Sequence, residues 1–358
     1  MKVLHLPTVV GGMAWGLSQA ERKKGLDSEV LALFRDCWRY PADRILFEEP
    51  QKSLLSKLYG LAVRMREVYR VRGQYQVFHF NYGTSLVDLW KIGMPLLDLP
   101  FYKKGKIVVT YNGCDARQKY PTLNRNESSA CHNDDCYEGV CMDGKLDEMK
   151  EKRIRKSDRY ADAIFAVNPD LLYLLPERAR FLPYAIGSWN QIEITPYRNI
   201  QGRVRILHSS TDRGAKGSEI IIQTLQKLKK QYGERIDIIL VEHLPNQEAL
   251  QVYAQADLAI DQILIGWYGG FAVEMMKMGK PVMAFIREED LKFIPQEMAQ
   301  QCRQAIINVD PTHLYEKLCF LLENPEILKR YREAALDYVH RWHDPIYVAG
   351  ITKSVYES

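Results

Sequence analysis

Short apolar runs alternate with amphipathic stretches along the chain. Residues 3–6 read as a strand, Gly11-Gly12 as a turn, residues 15–24 as a helix closed by Gly25, and residues 29–33 as the next strand. The alternation returns with strands at 76–80, 106–111 and 163–167. Apolar runs of this length between helical stretches predict parallel strands covered on both faces. A second series opens at 204–208 and continues through a helix over 217–232, strands at 236–241, 258–261 and 281–286, and helices over 247–256 and 271–278. Between the series, residues 185–202 carry Gly187, Pro196 and Gly202 with little periodicity. They are expected to connect an N-terminal domain, 1–185, to a C-terminal domain, 186–345. Helical patterning resumes after 324 and breaks at His343-Asp344-Pro345, and 346–358 is expected to pack back on the first domain. Doubly wound sheets of this kind bind ligands beyond the carboxyl ends of their strands.

Composition narrows the class. With 358 residues, 46% of them hydrophobic, each domain can bury its own core, which excludes a disordered or collagen-like chain. Lys and Arg number 49 against 45 Asp and Glu, an excess of four that is compatible with anionic ligands and is no nucleic-acid signature. Seven cysteines, an odd number with four in one stretch, suit a reducing compartment better than a disulfide framework. No run approaches the roughly 18 apolar residues of a spanning helix. His5, Pro7 and Gly11-Gly12 interrupt any signal-peptide core, so a cytoplasmic location is expected.

The segment Ile265-Gly266-Trp267-Tyr268-Gly269-Gly270-Phe271-Ala272-Val273-Glu274 carries the most chemistry. A glycine-rich turn lets backbone approach a phosphate, and the helix behind it offers free N–H groups and a positive dipole end. Glu274, in the first turns of that helix, either accepts hydrogen bonds from a vicinal diol or is a solvated first-turn acid favoured by the dipole. Through Val282 the run resembles the donor-binding signature of GT-B glycosyltransferases of retaining family 4, a glycine-rich turn before E-A-M-A-x-G-x-P-V. The resemblance gives Glu274 the nucleotide ribose and makes Tyr268, Gly269 and Gly270 donor-side residues. The family has an earlier glutamate, eight positions before, where this chain has Gly266.

Leu207 through Gly217 is similar to the same family's strand, basic loop and Lys-Gly. Lys216 is thereby expected on the donor diphosphate, with Arg213 as a second cation; read alone, Lys216 is a solvated loop lysine. Gly11 and Gly12 match the family's first glycine loop, which faces the donor phosphates. Val109 through Arg117 is similar to T-x-H-G-x-D-x-R, with Asn112 at the histidine position. Asp115 and His79, the latter ending its strand, are the candidate catalytic residues, and His79 has a structural histidine as its alternative.

The resemblance implies two Rossmann-like domains facing a central cleft. It also implies a hexosyltransferase that moves a sugar from a nucleotide diphosphate sugar to an acceptor hydroxyl with retention, in cell-surface polysaccharide or glycolipid synthesis. No cofactor for catalysis is expected, and no nucleic-acid partner. Gly266 and Asn112 favour the alternative, a protein of this fold that binds nucleotide sugars or acts as a scaffold without turnover; an epimerase or synthase on the same architecture is a third reading.

Two features stand outside that frame. Cys114, Cys131, Cys136 and Cys141 could wrap one structural Zn²⁺, or be reduced thiols or a disulfide. Residues 52–72 place Leu54, Leu55, Leu58, Leu61, Met65 and Tyr69 at helical spacing beside Lys57, Arg64, Arg66 and Arg70. That is either a core-facing helix or a basic amphipathic one for peripheral contact with the inner face of a membrane.

Overall fold

A computed structural model describes residues 1–198 and 202–358. The expected connection at 185–202 includes 199–201, which lie outside the described residues. The chain divides into two compact units: Met1–Gln118, Gly144–Gly187 and Pro345–Ser358 form unit 1, and Lys119–Asp143 with Ser188–Asp344 forms unit 2. Elements are numbered along the chain.

Unit 1 contains β1 (Lys2–Leu6), α1 (Met13–Lys23), β2 (Asp27–Phe34), β3 (Arg44–Phe47), α2 (Leu54–Val71), β4 (Val77–Asn81), β5 (Lys106–Tyr111), α4 (Lys145–Tyr160), β6 (Ala163–Ala166), β7 (Arg180–Phe181) and α12 (Pro345–Glu357). Its strands run β3-β2-β1-β4-β5-β6-β7, every pair parallel. The order reverses between β1 and β4, where crossovers leave in opposite directions and open a crevice. β4 is buried at every position, as a strand covered on both faces must be. Helix α12 packs on α1, with Val348, Ala349, Val355 and Tyr356 joining Leu17 and Ala20 in one apolar cluster.

Unit 2 contains α3 (Lys119–Arg125), β8 (Val204–Ser210), α5 (Arg213–Lys216), α6 (Ser218–Tyr232), β9 (Ile236–Glu242), α7 (Asn246–Tyr253), β10 (Leu258–Ile260), α8 (Gly270–Lys277), β11 (Val282–Ala284), α9 (Gln296–Ala305), β12 (Ile306–Asn308), α10 (Leu314–Glu323) and α11 (Ile327–Trp342). The order β12-β11-β10-β8-β9 is again parallel and reverses between β8 and β10.

The sequence reading put 119–143 in the first domain, whereas this segment packs with unit 2. Its polar composition hides an anchor: Ala130 is buried in the unit 2 core, its N–H donates to the Leu264 carbonyl at 3.0 Å, and Arg125 pairs with the buried Asp290.

Helix α2 splits along its length. Val68 and Val71 are buried in the unit 1 core, but Leu54, Leu55, Leu58 and Tyr59 are 74, 80, 57 and 68% exposed. Among the described residues no helix is long and apolar enough to cross a membrane.

Candidate functional site

The crevice of unit 2 lies beyond the carboxyl ends of β8 and β10, and the polar residues of the signature collect there. Asp212 caps α5 by accepting the Ala215 N–H at 2.7 Å, and this one-turn helix carries Lys216 back toward the sheet. The Lys216 ammonium donates to the Ser209 carbonyl at 3.1 Å, at the end of β8, and to Asp261 at 2.8 Å, just past β10. Asp261 is fully buried, and its other oxygen accepts the Gly269 N–H at 2.6 Å. One carboxylate thus fixes both the lysine and the glycine turn that opens α8. Lys216 also stands 5.0 Å from the Phe271 ring centroid, a cation over an aromatic face.

Glu274 follows one turn later on α8 and is buried. Its Oε1 accepts from Ser188 Oγ at 2.7 Å and Asn246 Nδ2 at 2.8 Å, while Oε2 has no donor among the described residues. Burial pushes the carboxyl above its ordinary range, opposed by those two hydrogen bonds and by the charge of Lys216. Tyr253 links the two halves of the site. Its hydroxyl bonds Ser209 Oγ at 2.8 Å, its ring packs edge-on to Phe271 at 4.9 Å, and its phenol is pushed upward by burial and then by the charge of Glu274. Glu274 and Lys216 therefore share one surrounding. The arrangement presents an unoccupied carboxylate oxygen, an ammonium and the first N–H groups of α8 at a strand-end crevice, a set suited to a sugar diol beside an anion.

The remaining donor-side candidates are placed differently. Arg213 is largely exposed and forms a forked pair with Glu242 at 2.8 Å. Tyr268 is fully buried, stacked on Trp267 at 4.3 Å, with its hydroxyl bonded to Tyr338 and His343 at 2.6 and 2.7 Å; that is a core position. Gly270 begins α8 and Gly269 caps it.

Gly266, at the family's glutamate position, has φ of +89°, and a Cβ there would meet Arg287 Nη1 at 2.4 Å. Arg287, paired with Asp290 at 3.4 Å, fills the space that a side chain at 266 would need. Sequence reasoning missed Asp261, Arg287, Ser188 and Asn246. Asp261 had a signal, an acid directly after a wholly apolar strand; the others come from distant segments with none.

In unit 1, the Gly11-Gly12 turn follows β1 with φ of +61° and +68°, and a Cβ on Gly12 would meet Tyr40 at 2.8 Å, so glycine is required. Asp115 lies in the loop after β5 and accepts the N–H groups of Asn112 and Gly113 at 3.0 and 2.6 Å. Burial raises its carboxyl to about 6 despite those bonds. His79 is fully buried: Nε2 meets Thr110 Oγ1 and Nδ1 meets the Tyr356 hydroxyl, both at 2.6 Å. The geometry gives His79 the structural alternative, a clasp between the sheet and α12, in place of a substrate contact. It also sits with His5 and Glu21 in a buried group whose ligand atoms lie within 4.8 Å of one another. Of the four clustered cysteines, Cys114 belongs to unit 1 and Cys131, Cys136 and Cys141 to unit 2, so neither unit holds the whole set.

No protein-family profile matches the chain, and no curated protein matches it in sequence. Solved structures do match along its whole length. HepE of Anabaena, in complex with UDP and glucose, aligns with a TM-score of 0.63 at 11% identity over 100% of this chain and 99% of that one. Sucrose-phosphate synthase of Thermosynechococcus elongatus gives 0.60 at 14% identity, covering 99% and 98%. UDP-GlcNAc 2-epimerase of Neisseria meningitidis, bound to UDP-GlcNAc, gives 0.54 at 12% identity and covers 100% of both chains. With two parallel sheets of seven and five strands and full-length agreement with these structures, the chain has the GT-B fold.

Proposed function

We propose that the chain is a glycosyltransferase that moves a sugar from a nucleotide diphosphate sugar to an acceptor hydroxyl, with unit 2 holding the donor. The observation that carries this reading is the joint placement of Glu274 and Lys216 at the unit 2 strand-end crevice, beside the N-terminus of α8. In this mechanism Glu274 Oε2 accepts from the ribose hydroxyls. Lys216 and the α8 N–H groups stabilise charge as the bond from the anomeric carbon to the diphosphate oxygen breaks. The acceptor oxygen bonds to that carbon from the face the diphosphate leaves, which retains configuration, and its proton passes to the departing diphosphate. Asp115 is the acceptor-side carboxylate. UDP or UDP-glucose in HepE structures of the same fold supports a uridine donor as the first to try.

Isothermal titration with UDP and GDP, followed by a donor panel assayed for transfer and slow hydrolysis, tests the proposal. Binding with turnover supports it; no binding and no turnover rejects it. Binding without turnover favours a nucleotide-sugar binding module, a reading that draws on Gly266, whose place beside Arg287 removes the family's first acid. An interconverted sugar nucleotide would indicate an epimerase.

The exposed leucines of α2, flanked by Lys57, Arg64, Arg66 and Arg70, support a peripheral contact with an anionic bilayer and hence a lipid-linked or cell-surface glycan acceptor. A zinc staple in the cysteine-rich loop is a separate proposal. About one equivalent per chain by elemental analysis supports it, and a zinc-free, fully stable protein removes it.

A further inference from the structure

The opposite end of the unit 2 strands gathers charge of its own. Where the strands begin, a recess of about 320 Å³ is lined by Arg198, Arg205, Lys280 and Arg332, with Asp257 as the one acid among its described lining residues. Arg205 is the second residue of β8, Asp257 immediately precedes β10, Lys280 lies two residues before β11, and Arg332 comes from α11. Along β8, Arg205 and Ser209 are separated by about 13 Å at the usual rise per residue, so this recess and the Glu274–Lys216 site lie at opposite ends of the same strands.

Four cations surround one carboxylate. Asp257 is spent on two of them: it accepts from Arg198, from the Arg205 guanidinium at 3.1 and 3.2 Å, and from the Arg205 N–H at 2.9 Å. Arg332 donates to the backbone carbonyls of Gly279 and Thr195. Lys280 is only 7% exposed, and its ammonium donates to the Ala254 carbonyl at 2.8 Å, with no carboxylate in ion-pair range among the described residues. Burial, together with Arg205, Arg332 and Arg198, pulls Lys280 down to about 8 against the pull of Asp257. Lysines are seldom buried without a counter-ion, and an ammonium has three donors where one is used among the described residues.

We propose that this recess binds a small, multiply charged oxyanion of the phosphate class, held by Lys280 and Arg332 with Arg198 and Arg205 at its rim. A dianion there offsets most of the excess of three positive charges and takes the N–H groups of Lys280 and Arg332 that have no acceptor among the described residues. The same chemistry is offered by free phosphate or pyrophosphate and by a small organic phosphate. The proposal is independent of the sugar-transfer reading, because its test needs no sugar donor.

Inorganic phosphate, pyrophosphate and a hexose phosphate are titrated calorimetrically into the full chain at fixed ionic strength, with and without excess UDP to fill the other end of the sheet. Pyrophosphate or phosphate binding that survives UDP and weakens at least tenfold in Lys280→Gln supports a free-oxyanion site; binding confined to the hexose phosphate, with the same dependence, supports an organic one. Should Lys280→Gln fail to fold by circular dichroism, the half-exposed Arg198→Gln is read by the same rule. Absence of binding to wild type, loss of binding under UDP, or unchanged affinity in the variant overturns the proposal.

Discussion

Replacing Lys216 by Met tests the site through stability and binding at once. The lysine side chain is 11% exposed and its partner Asp261 fully buried, so the substitution strands a carboxylate whose remaining donor is the Gly269 N–H. Breaking a buried ion pair from one side costs about 3–5 kcal/mol, because the partner charge keeps its desolvation penalty. The Gly269 bond and the positive end of α8 remain, which places the expected loss near the lower figure, about 3 kcal/mol. For a unit of about 180 residues, each kcal/mol moves the midpoint by about 2–4 °C, so thermal unfolding is expected to drop by roughly 6–12 °C. Adding Asp261→Asn removes the stranded charge and should recover at least about 2 kcal/mol, a coupling that a double-mutant cycle reads directly. Nucleotide affinity behaves differently: Lys216→Met should lower it more than tenfold, about 1.4 kcal/mol, and the double variant should not restore it. A drop below about 1 kcal/mol for the single variant, or strictly additive effects in the pair, would refute the buried-pair argument.

Glu274→Ala is expected to weaken UDP binding more than tenfold by calorimetry; because burial holds this carboxyl above its ordinary value of 4.5, affinity should fade on acidification before pH 4.5 is reached. His208, bonded to the Ile260 carbonyl and Ser218 at 2.8 Å, is pulled down to about 4 chiefly by burial, so the unfolded chain takes a proton the native state refuses. Its contribution is intact above 6.5 and falls by about 2 kcal/mol by pH 5, a loss that urea titrations should find missing in His208→Gln. Asp115 has the opposite sign: held at about 6, it keeps its proton in the native state, so its contribution declines as pH rises from 3.8 to 6, and Asp115→Asn should remove that decline. The chain should sediment with anionic vesicles and not with neutral ones, and the double substitution Leu55→Glu with Leu58→Glu should abolish this without altering UDP affinity.

The alternation of apolar runs and amphipathic stretches was enough to anticipate two parallel sheets, because a strand buried on both faces leaves a continuous apolar run that little else produces. The neighbourhood of Glu274 and Lys216 was readable for a related reason: a strand end, a turn and a helix start are local features. What could not be read depends on partners far along the chain. His79 looked like a strand-end histidine, yet its clasp with Tyr356 spans 277 residues. Tyr268 adjoins the glycine turn in sequence, but its hydroxyl is claimed by α11 and His343. The 119–143 segment falls inside the expected first domain, 1–185, whereas the buried Ala130, its backbone hydrogen bond to Leu264 and the Arg125–Asp290 pair tie it to unit 2.

Glu21 lies at the heart of unit 1 with no exposure, and its oxygens accept from His5 and Ser28 at 2.8 and 2.7 Å and from Thr352 and Tyr356 of α12 at 3.1 and 2.8 Å. Half of its donors thus come from a helix that follows the whole of unit 2 in the sequence. Until α12 emerges, Glu21 lacks two of its four donors. Unit 2, whose sequence is complete before α12 begins, meets no such delay, so the order of synthesis lets the later sheet mature ahead of the earlier one.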